Sequence, residues 1–97
     1  MGARLIATRP PDGGTAAPGA AVVAVLALDT DWSADDVRMW LDGKDVTERC
    51  AIRTDRAYPP RRAEVVLTDV GAGEHVAELQ WEEGDRASWR FAVEATG

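Results

Sequence analysis

His75 is the only histidine in the chain, and histidine is the side chain that most readily exchanges a proton near neutral pH. One catalytic role for His75 would be to activate a serine or cysteine nucleophile beside it. No serine or cysteine near it in the sequence has the setting of an activated nucleophile. We therefore interpret His75 as a structural histidine whose hydrogen bonds are made within the protein, and we predict no enzymatic activity.

Cys50 is the only cysteine, so no intrachain disulfide can form and the fold must be stabilised by packing. The neighbouring Arg49 and Arg53 would lower the pKa of the thiol and favour a reactive thiolate. The alternative is that Cys50 packs as a small, half-buried apolar side chain. We favour this second interpretation.

Four aspartates crowd one connecting segment, and their carboxylates could supply oxygen ligands to Ca²⁺. These are Asp29, Asp31, Asp35 and Asp36. Their spacing does not match an EF-hand loop, and aspartate is also common in turns and helix caps. We predict no metal site and no cofactor, while calcium binding by this segment stays open.

Tryptophan side chains could carry a binding function, because exposed indole rings anchor protein partners and stack on sugar rings. Trp40 alternates with apolar residues and is expected on the outer face of its strand, beside Arg38. A loop folded over the ring, or Arg38 stacked on it, is the alternative. Trp32 is a candidate of the same kind in a loop, whereas Trp81 and Trp89 fall on inward-facing positions.

The charge balance bears on the class of partner. The chain has 17 acidic and 11 basic side chains, a net charge of −6, which opposes contact with phosphate backbones and anionic lipid. We therefore predict neither nucleic-acid binding nor membrane insertion. A basic segment in the middle of the chain contains Arg53, Arg56, Arg61 and Arg62. It would suit an acidic partner surface or form a solvated loop.

The element that should position these residues is a hairpin over residues 37–47. Apolar and polar residues alternate up to Leu41, and Asp42-Gly43 is a strong signal for a tight turn. A two-stranded hairpin is marginal in water, so a second sheet must cover its apolar face. The remaining periodic segments are expected to supply that sheet.

Residues 21–29 are apolar at both parities, which indicates a strand with both faces covered. In a two-sheet sandwich, one face of such a strand packs on the core, so something else must cover the outside. We predict that a partner or the preceding loop packs there. The predicted partner-binding residues are Leu26, Leu28, Trp32, Arg38 and Trp40.

The 97 residues, 45% of them apolar, are expected to form one domain over residues 1–97. Residues 4–8 should form an edge strand ended by Pro10-Pro11, and further strands are predicted at 63–68, 75–81 and 89–93. Residues 48–62 are predicted to be irregular, with an extended segment at Tyr58-Pro59-Pro60. The predicted class is all-β, a seven-stranded antiparallel sandwich with at most a single helical turn, at residues 33–36.

Several of these segments resemble bacterial immunoglobulin-like modules that occur in tandem in surface and secreted proteins. The resemblance covers about three quarters of the chain, and the order and spacing of its motifs match the usual seven-strand count of such sandwiches. The segments that carry it are 26–29 (Leu-Ala-Leu-Asp), 37–47 (Val-Arg-Met-Trp-Leu-Asp-Gly-Lys-Asp-Val-Thr), 58–59 (Tyr-Pro), 73–76 (Gly-Glu-His-Val) and 89–93 (Trp-Arg-Phe-Ala-Val). It implies that His75 occupies the place of a tyrosine corner, with its ring hydrogen-bonded to the backbone of the preceding turn.

These observations together predict a non-enzymatic interaction or structural module that docks on a partner chain, a second copy or a larger assembly. A carbohydrate-binding module using exposed tryptophans and a spacer domain of a surface protein are the alternatives. With no signal peptide in the sequence, we expect a cytoplasmic location if the chain is complete. If it is excised from a longer protein, we expect the cell surface or secretion.

Overall fold

Alternating apolar side chains give strands rather than helices along this chain. The computed structural model describes residues 3–28, 32–55 and 61–95, and these ranges contain nine strands and two single 3₁₀ turns. The strands are β1 Ala3–Arg9, β2 Gly14–Ala16, β3 Val22–Leu28, β4 Arg38–Leu41, β5 Lys44–Asp45, β6 Ala51–Asp55, β7 Arg62–Leu67, β8 Gly73–Glu82 and β9 Asp85–Val93. The turns are Ala34–Asp36 and Thr47–Arg49.

The strands form two sheets, in the orders β1-β3-β7-β6 and β2-β9-β8-β4-β5. We call them the first and the second sheet. All strand pairs are antiparallel except β2 with β9, which is parallel. The predicted all-β sandwich is confirmed, and β1 is an edge strand as expected.

Two strands and one helical turn lie outside the prediction. Strand β2 falls in a loop rich in glycine and proline, and its three residues are held by pairing with β9. Strand β6 falls in the segment 48–62, which was expected to be irregular. The five residues of β6 include only one large apolar residue, Ile52, so they show no alternating pattern. The second turn, Thr47–Arg49, follows the hairpin. The predicted extended segment at Tyr58-Pro59-Pro60 lies outside the described residues.

The core lies between the sheets, where inward side chains of both meet. Met39, Leu79 and Phe91 are all buried there, and so are Trp81 and Trp89, as their parity predicted. Each fully buried side chain of this size stabilises the fold by about 1.5–3 kcal/mol relative to leaving it exposed. Burial of these side chains sets which face of each strand remains available to a partner.

Leu26 and Leu28 require a correction, because they were predicted to bind a partner. Both face the core, with 0% and 8% of their surface exposed, and they pack with inward residues of the second sheet. Since β3 is apolar at both parities, the sequence could not show which set points inward. The outward set is Val23, Val25 and Ala27.

The central hairpin has the predicted form. Asp42 and Gly43 connect β4 to β5 with positive φ angles of 53° and 82°, the conformation that an Asp-Gly turn favours. Beyond β5, the Thr47 hydroxyl accepts a hydrogen bond from the Met39 amide at 2.9 Å. A side chain therefore continues the ladder of β4 where the short strand β5 has ended.

Candidate docking faces

The outer face of the first sheet carries a strip of small apolar side chains with charged residues around it. Strand β3 lies between β1 and β7, and the registers of the three strands place its outward residues in the middle of the face. The described outward side chains are Arg4, Ala7, Arg9, Val23, Val25, Ala27, Ala51, Arg53, Arg62, Glu64 and Val66. No second layer covers this face within the described part of the chain.

An ion pair crosses the middle of this face. Arg9 on β1 is in register with Val23, Glu64 on β7 is in register with Val25, and the guanidinium and carboxylate are 3.2 Å apart. The pair therefore spans β3, and the apolar stem of Arg9 can shield Val23, which is only 9% exposed. The side chain of Arg9 is 67% exposed, so the ion pair contributes at most about 1 kcal/mol to stability.

The same face is positively charged. Its described side chains include four arginines and one glutamate, in a chain whose net charge is −6, and Asp55 of β6 is in register with Arg62. Arg4 and Arg62 lie on either side of Ala27, and neither forms an ion pair within the residues that the structure describes. Two of the arginines, Arg53 and Arg62, come from the basic segment noted in the sequence, whereas Arg56 lies outside the described residues.

Trp40 lies on the outer face of the second sheet, as its parity predicted, and is partly buried. A guanidinium lies 4.9 Å from its ring centroid, but it belongs to Arg86 and not to the expected Arg38. Arg86 also pairs with Glu78, which holds the cation in place over the indole. Arg38 instead donates hydrogen bonds to the carbonyl oxygens of Val37 at 2.8 Å and Asp35 at 3.3 Å.

Trp32 also requires a correction, because it was predicted to be an exposed binding residue. It is only 4% exposed, and its indole N–H donates to the carbonyl oxygen of Trp81 at 2.9 Å. The ring completes the core at the end of the sandwich. Such a contact between residues far apart in the sequence leaves no signal in the local pattern.

His75 is a structural histidine whose two ring nitrogens are both engaged. Nδ1 is 2.7 Å from the Asp42 carboxylate and Nε2 is 2.7 Å from the Gly71 carbonyl oxygen, which confirms the predicted bond to the turn backbone. Both partners are acceptors, so the protonated ring satisfies both contacts. Burial lowers the pKa of His75, but hydrogen bonds to Asp42 and Gly71 and the Asp42 charge outweigh it, so the pKa is raised.

This histidine and aspartate do not form a catalytic arrangement. In a catalytic triad the second ring nitrogen contacts the nucleophile, whereas here the Gly71 carbonyl occupies that nitrogen. An open groove of about 380 Å³ adjoins the pair and is lined in part by Gly13, Arg90 and Phe91. Among the described residues its lining has no serine or cysteine, and Thr15 supplies its one hydroxyl group.

Cys50 is half-buried, as we favoured from the sequence. Burial raises the pKa of its thiol, and this effect exceeds the opposite influence of the Arg49 charge. The sulfur lies 3.4 Å from the Met39 sulfur and 3.5 Å from the Val46 carbonyl oxygen. The thiol is therefore packed as part of the structure rather than activated.

The aspartate-rich segment shows a capping role. The Ser33 hydroxyl accepts a hydrogen bond from the Asp35 amide at 3.2 Å, which caps the predicted single helical turn. Asp29 and Asp31 lie outside the described residues. Among the residues that are described, no three His, Cys, Asp or Glu side chains group together as metal ligands. None of the described helical turns is long and apolar enough to cross a membrane.

The fold is that of an immunoglobulin-like β-sandwich. The structure is similar to CopC from Methylosinus trichosporium OB3b, with a TM-score of 0.63 and 14% identity over 98% of this chain and 96% of that chain. It is also similar to PcoC, a methionine-rich copper resistance protein from Escherichia coli, with a TM-score of 0.53 and 12% identity over 97% of this chain and 100% of that one.

A third similar structure contains domains 4 and 5 of the S-layer protein SbsC. Its TM-score is 0.50, with 14% identity over 96% of this chain and 47% of that chain. No protein-family profile and no curated protein matches the sequence. At these identities the similarity concerns the fold.

Proposed function

We propose that this chain is a non-enzymatic interaction module that docks a partner protein through the outer face of the first sheet. The observation that carries the proposal is the apolar strip on β3 and β7, which no second layer covers within the described residues. Val25, Ala27 and Val66 are partly exposed at its centre. An apolar centre with a charged rim is the usual composition of a protein interface.

The outer face of the second sheet supports docking less well. Trp40 is its natural anchor, but Arg86 and Glu78 already cover and hold the ring. A partner would have to displace this cation before using the indole. Val76, which is 41% exposed, stands beside this cluster as a single apolar residue.

Carbohydrate binding is not favoured by the positions of the tryptophans. The prediction required both Trp32 and Trp40 at the surface, yet Trp32 is in the core and the Trp40 ring is covered by Arg86. The role in copper resistance that is stated for PcoC is not extended to this chain either. Met39 is buried in the core, so its thioether sulfur is not available to a metal at the surface. Both ring nitrogens of His75 bond within the protein, so its imidazole is not available either.

Differential capture tests the proposal. The double substitution Val25→Gln and Val66→Gln removes apolar surface from the proposed face without adding charge. A matched control, Val76→Gln with Ala92→Gln, makes the same kind of change on the second sheet. Each immobilised protein is incubated with lysate of the source organism, and retained proteins are identified by mass spectrometry.

We expect one or more proteins to be retained by the wild type and the control but lost from the Val25 and Val66 variant. All three proteins are expected to remain folded, because loss of β-propensity at these sites costs about 1 kcal/mol or less. Circular dichroism and thermal unfolding check this. Identical retention by the wild type and the Val25 and Val66 variant would contradict docking through this face.

A further inference from the structure

We infer that the partner bound by the first sheet is an acidic polypeptide, whose carboxylates contact the arginines around the apolar strip. This inference rests on the proposed function and specifies the chemistry of the partner. It follows from the charge of one face, because four arginines surround the strip against two acidic positions, Glu64 and Asp55. Complementary charge at an interface rim sets partner choice and association rate.

The position of two arginines makes the inference specific. Arg4 on β1 and Arg62 on β7 both pair with Ala27 of β3, so they flank one small side chain on neighbouring strands. Neither forms an ion pair with a described side chain, and the acidic position next to Arg62 is Asp55 of β6, with which it is in register. Because Ala27 is small and partly exposed, it does not block the approach of a partner carboxylate to the arginines on either side.

Arg53, near the ion pair of Arg9 and Glu64, adds further positive charge to the face. Glu64 is bonded to Arg9 at 3.2 Å and is in register with Arg53 of the edge strand β6. Glu64 is paired with Arg9, and Arg53 forms no ion pair with a described side chain. The four arginines of the face therefore exceed its two acidic positions, Glu64 and Asp55.

An acidic polypeptide fits this face better than a nucleic acid or a sulfated polysaccharide. The central side chains Val25, Ala27 and Val66 give apolar contacts that a chain of phosphates or sulfates cannot use. A second copy is disfavoured, because both surfaces of such an interface would carry the same excess of arginines.

Nuclear magnetic resonance titration of the isotope-labelled full chain tests the inference at physiological ionic strength. The probe is a short synthetic peptide of repeated Glu-Val-Ser, compared with peptides of repeated Lys-Val-Ser and Glu-Ser-Ser. A heparin oligosaccharide and a single-stranded DNA oligonucleotide are titrated in parallel. We expect the Glu-Val-Ser peptide to shift amide signals of the outer face of the first sheet, and the lysine peptide to leave them unchanged.

Two double variants with the same change of charge locate the contact. Arg4→Gln with Arg62→Gln should weaken binding of the Glu-Val-Ser peptide about fivefold, since each exposed charge pair contributes modestly. Arg38→Gln with Arg90→Gln, on the second sheet, should leave the affinity unchanged. Raising the salt concentration should weaken wild-type binding.

The inference is overturned if the lysine peptide binds as well as the glutamate peptide, or if both double variants lose affinity equally. Tighter binding of heparin or DNA at the same amides would also overturn it, in favour of a polyanion. If the Val25 and Val66 variant loses the captured protein but the titration shows no preference for the glutamate peptide, the docking function is supported and only the acidic nature of the partner is overturned. Failure of that capture experiment would instead remove the docking function itself.

Discussion

The ring of His75 lies between two acceptors, the Asp42 carboxylate and the Gly71 carbonyl oxygen, each at 2.7 Å. Asp42 also accepts a hydrogen bond from the Val76 amide at 2.8 Å, so its carboxylate joins the hairpin turn to β8. The side chain of His75 is only 13% exposed, which protects these contacts from solvent. The charged pair therefore ties two neighbouring strands together at one end of the second sheet.

This arrangement predicts that the free energy of unfolding falls both when the pH becomes alkaline enough to deprotonate His75 and when it becomes acidic enough to protonate Asp42. The pKa of His75 is raised in the folded state, so its contribution is complete below the unfolded-state pKa and is lost as pH rises through the folded-state pKa. Burial opposes ionisation of Asp42, but hydrogen bonds to His75 and Val76 prevail and lower its pKa. Its contribution is lost as pH falls through that lowered pKa. Urea unfolding across pH should therefore show a maximum between the two.

The Asp42→Asn variant separates the two contributions. It removes the negative charge beside His75, so the pKa of His75 should fall, and the loss of stability on the alkaline side should move to lower pH. Because the chain has one histidine, its ring proton signals can be followed by nuclear magnetic resonance without assignment. An unchanged His75 titration in the variant would show that Asp42 does not hold the proton on the ring.

The turn between β4 and β5 is where local sequence most directly dictates an element. Gly43 has a φ of 82°, a conformation that costs an ordinary residue about 1–2 kcal/mol. Gly43→Ala should therefore lower the free energy of unfolding by about that amount. Gly71→Ala is the matched control, because Gly71 lies outside the positive-φ region and an added Cβ meets nothing within 4 Å. Equal losses in both variants, measured by urea unfolding, would contradict this role for the turn.

The elements that the sequence predicted are those with local causes. The Asp42-Gly43 turn, the alternation along β8 and β9 and the cap at Ser33 each depend on residues a few positions apart. Strand β2 has no such cause, since its three residues become a strand by pairing with β9 at the far end of the chain. Strand β6 likewise depends on β7 for its ladder. Long-range pairing of this kind is invisible to a periodicity argument.

At the scale of the whole molecule, the alternation of apolar and polar residues predicted the class of fold but not the residues of the docking face. The inward residues of β8 and β9 predicted two stacked sheets, and the structure has them. In β3, however, both parities are apolar, so the choice between Leu26 and Val25 as the outward residue depended on the opposite sheet. Trp32 was placed in the core by a hydrogen bond to Trp81, which is 49 positions away in the sequence.

The assembled sandwich also separates charge in a way that the sequence only suggested. Arg53 and Arg62 belong to one basic segment in the middle of the sequence, but Arg4 and Arg9 lie near its beginning. The order β1-β3-β7-β6 brings all four onto one face of the first sheet. The positive face is thus a product of topology, and it is the feature on which the proposed docking function and its acidic partner depend.

Site-specific photo-cross-linking in cells of the source organism tests that docking face most directly. A photoreactive amino acid replaces Ala7 or Ala51, two exposed residues on the outer face of the first sheet, or Val76 on the second sheet. The account predicts a discrete adduct with the same partner protein from positions 7 and 51 and none from position 76. Adducts from position 76 alone, or none from either sheet, would contradict it.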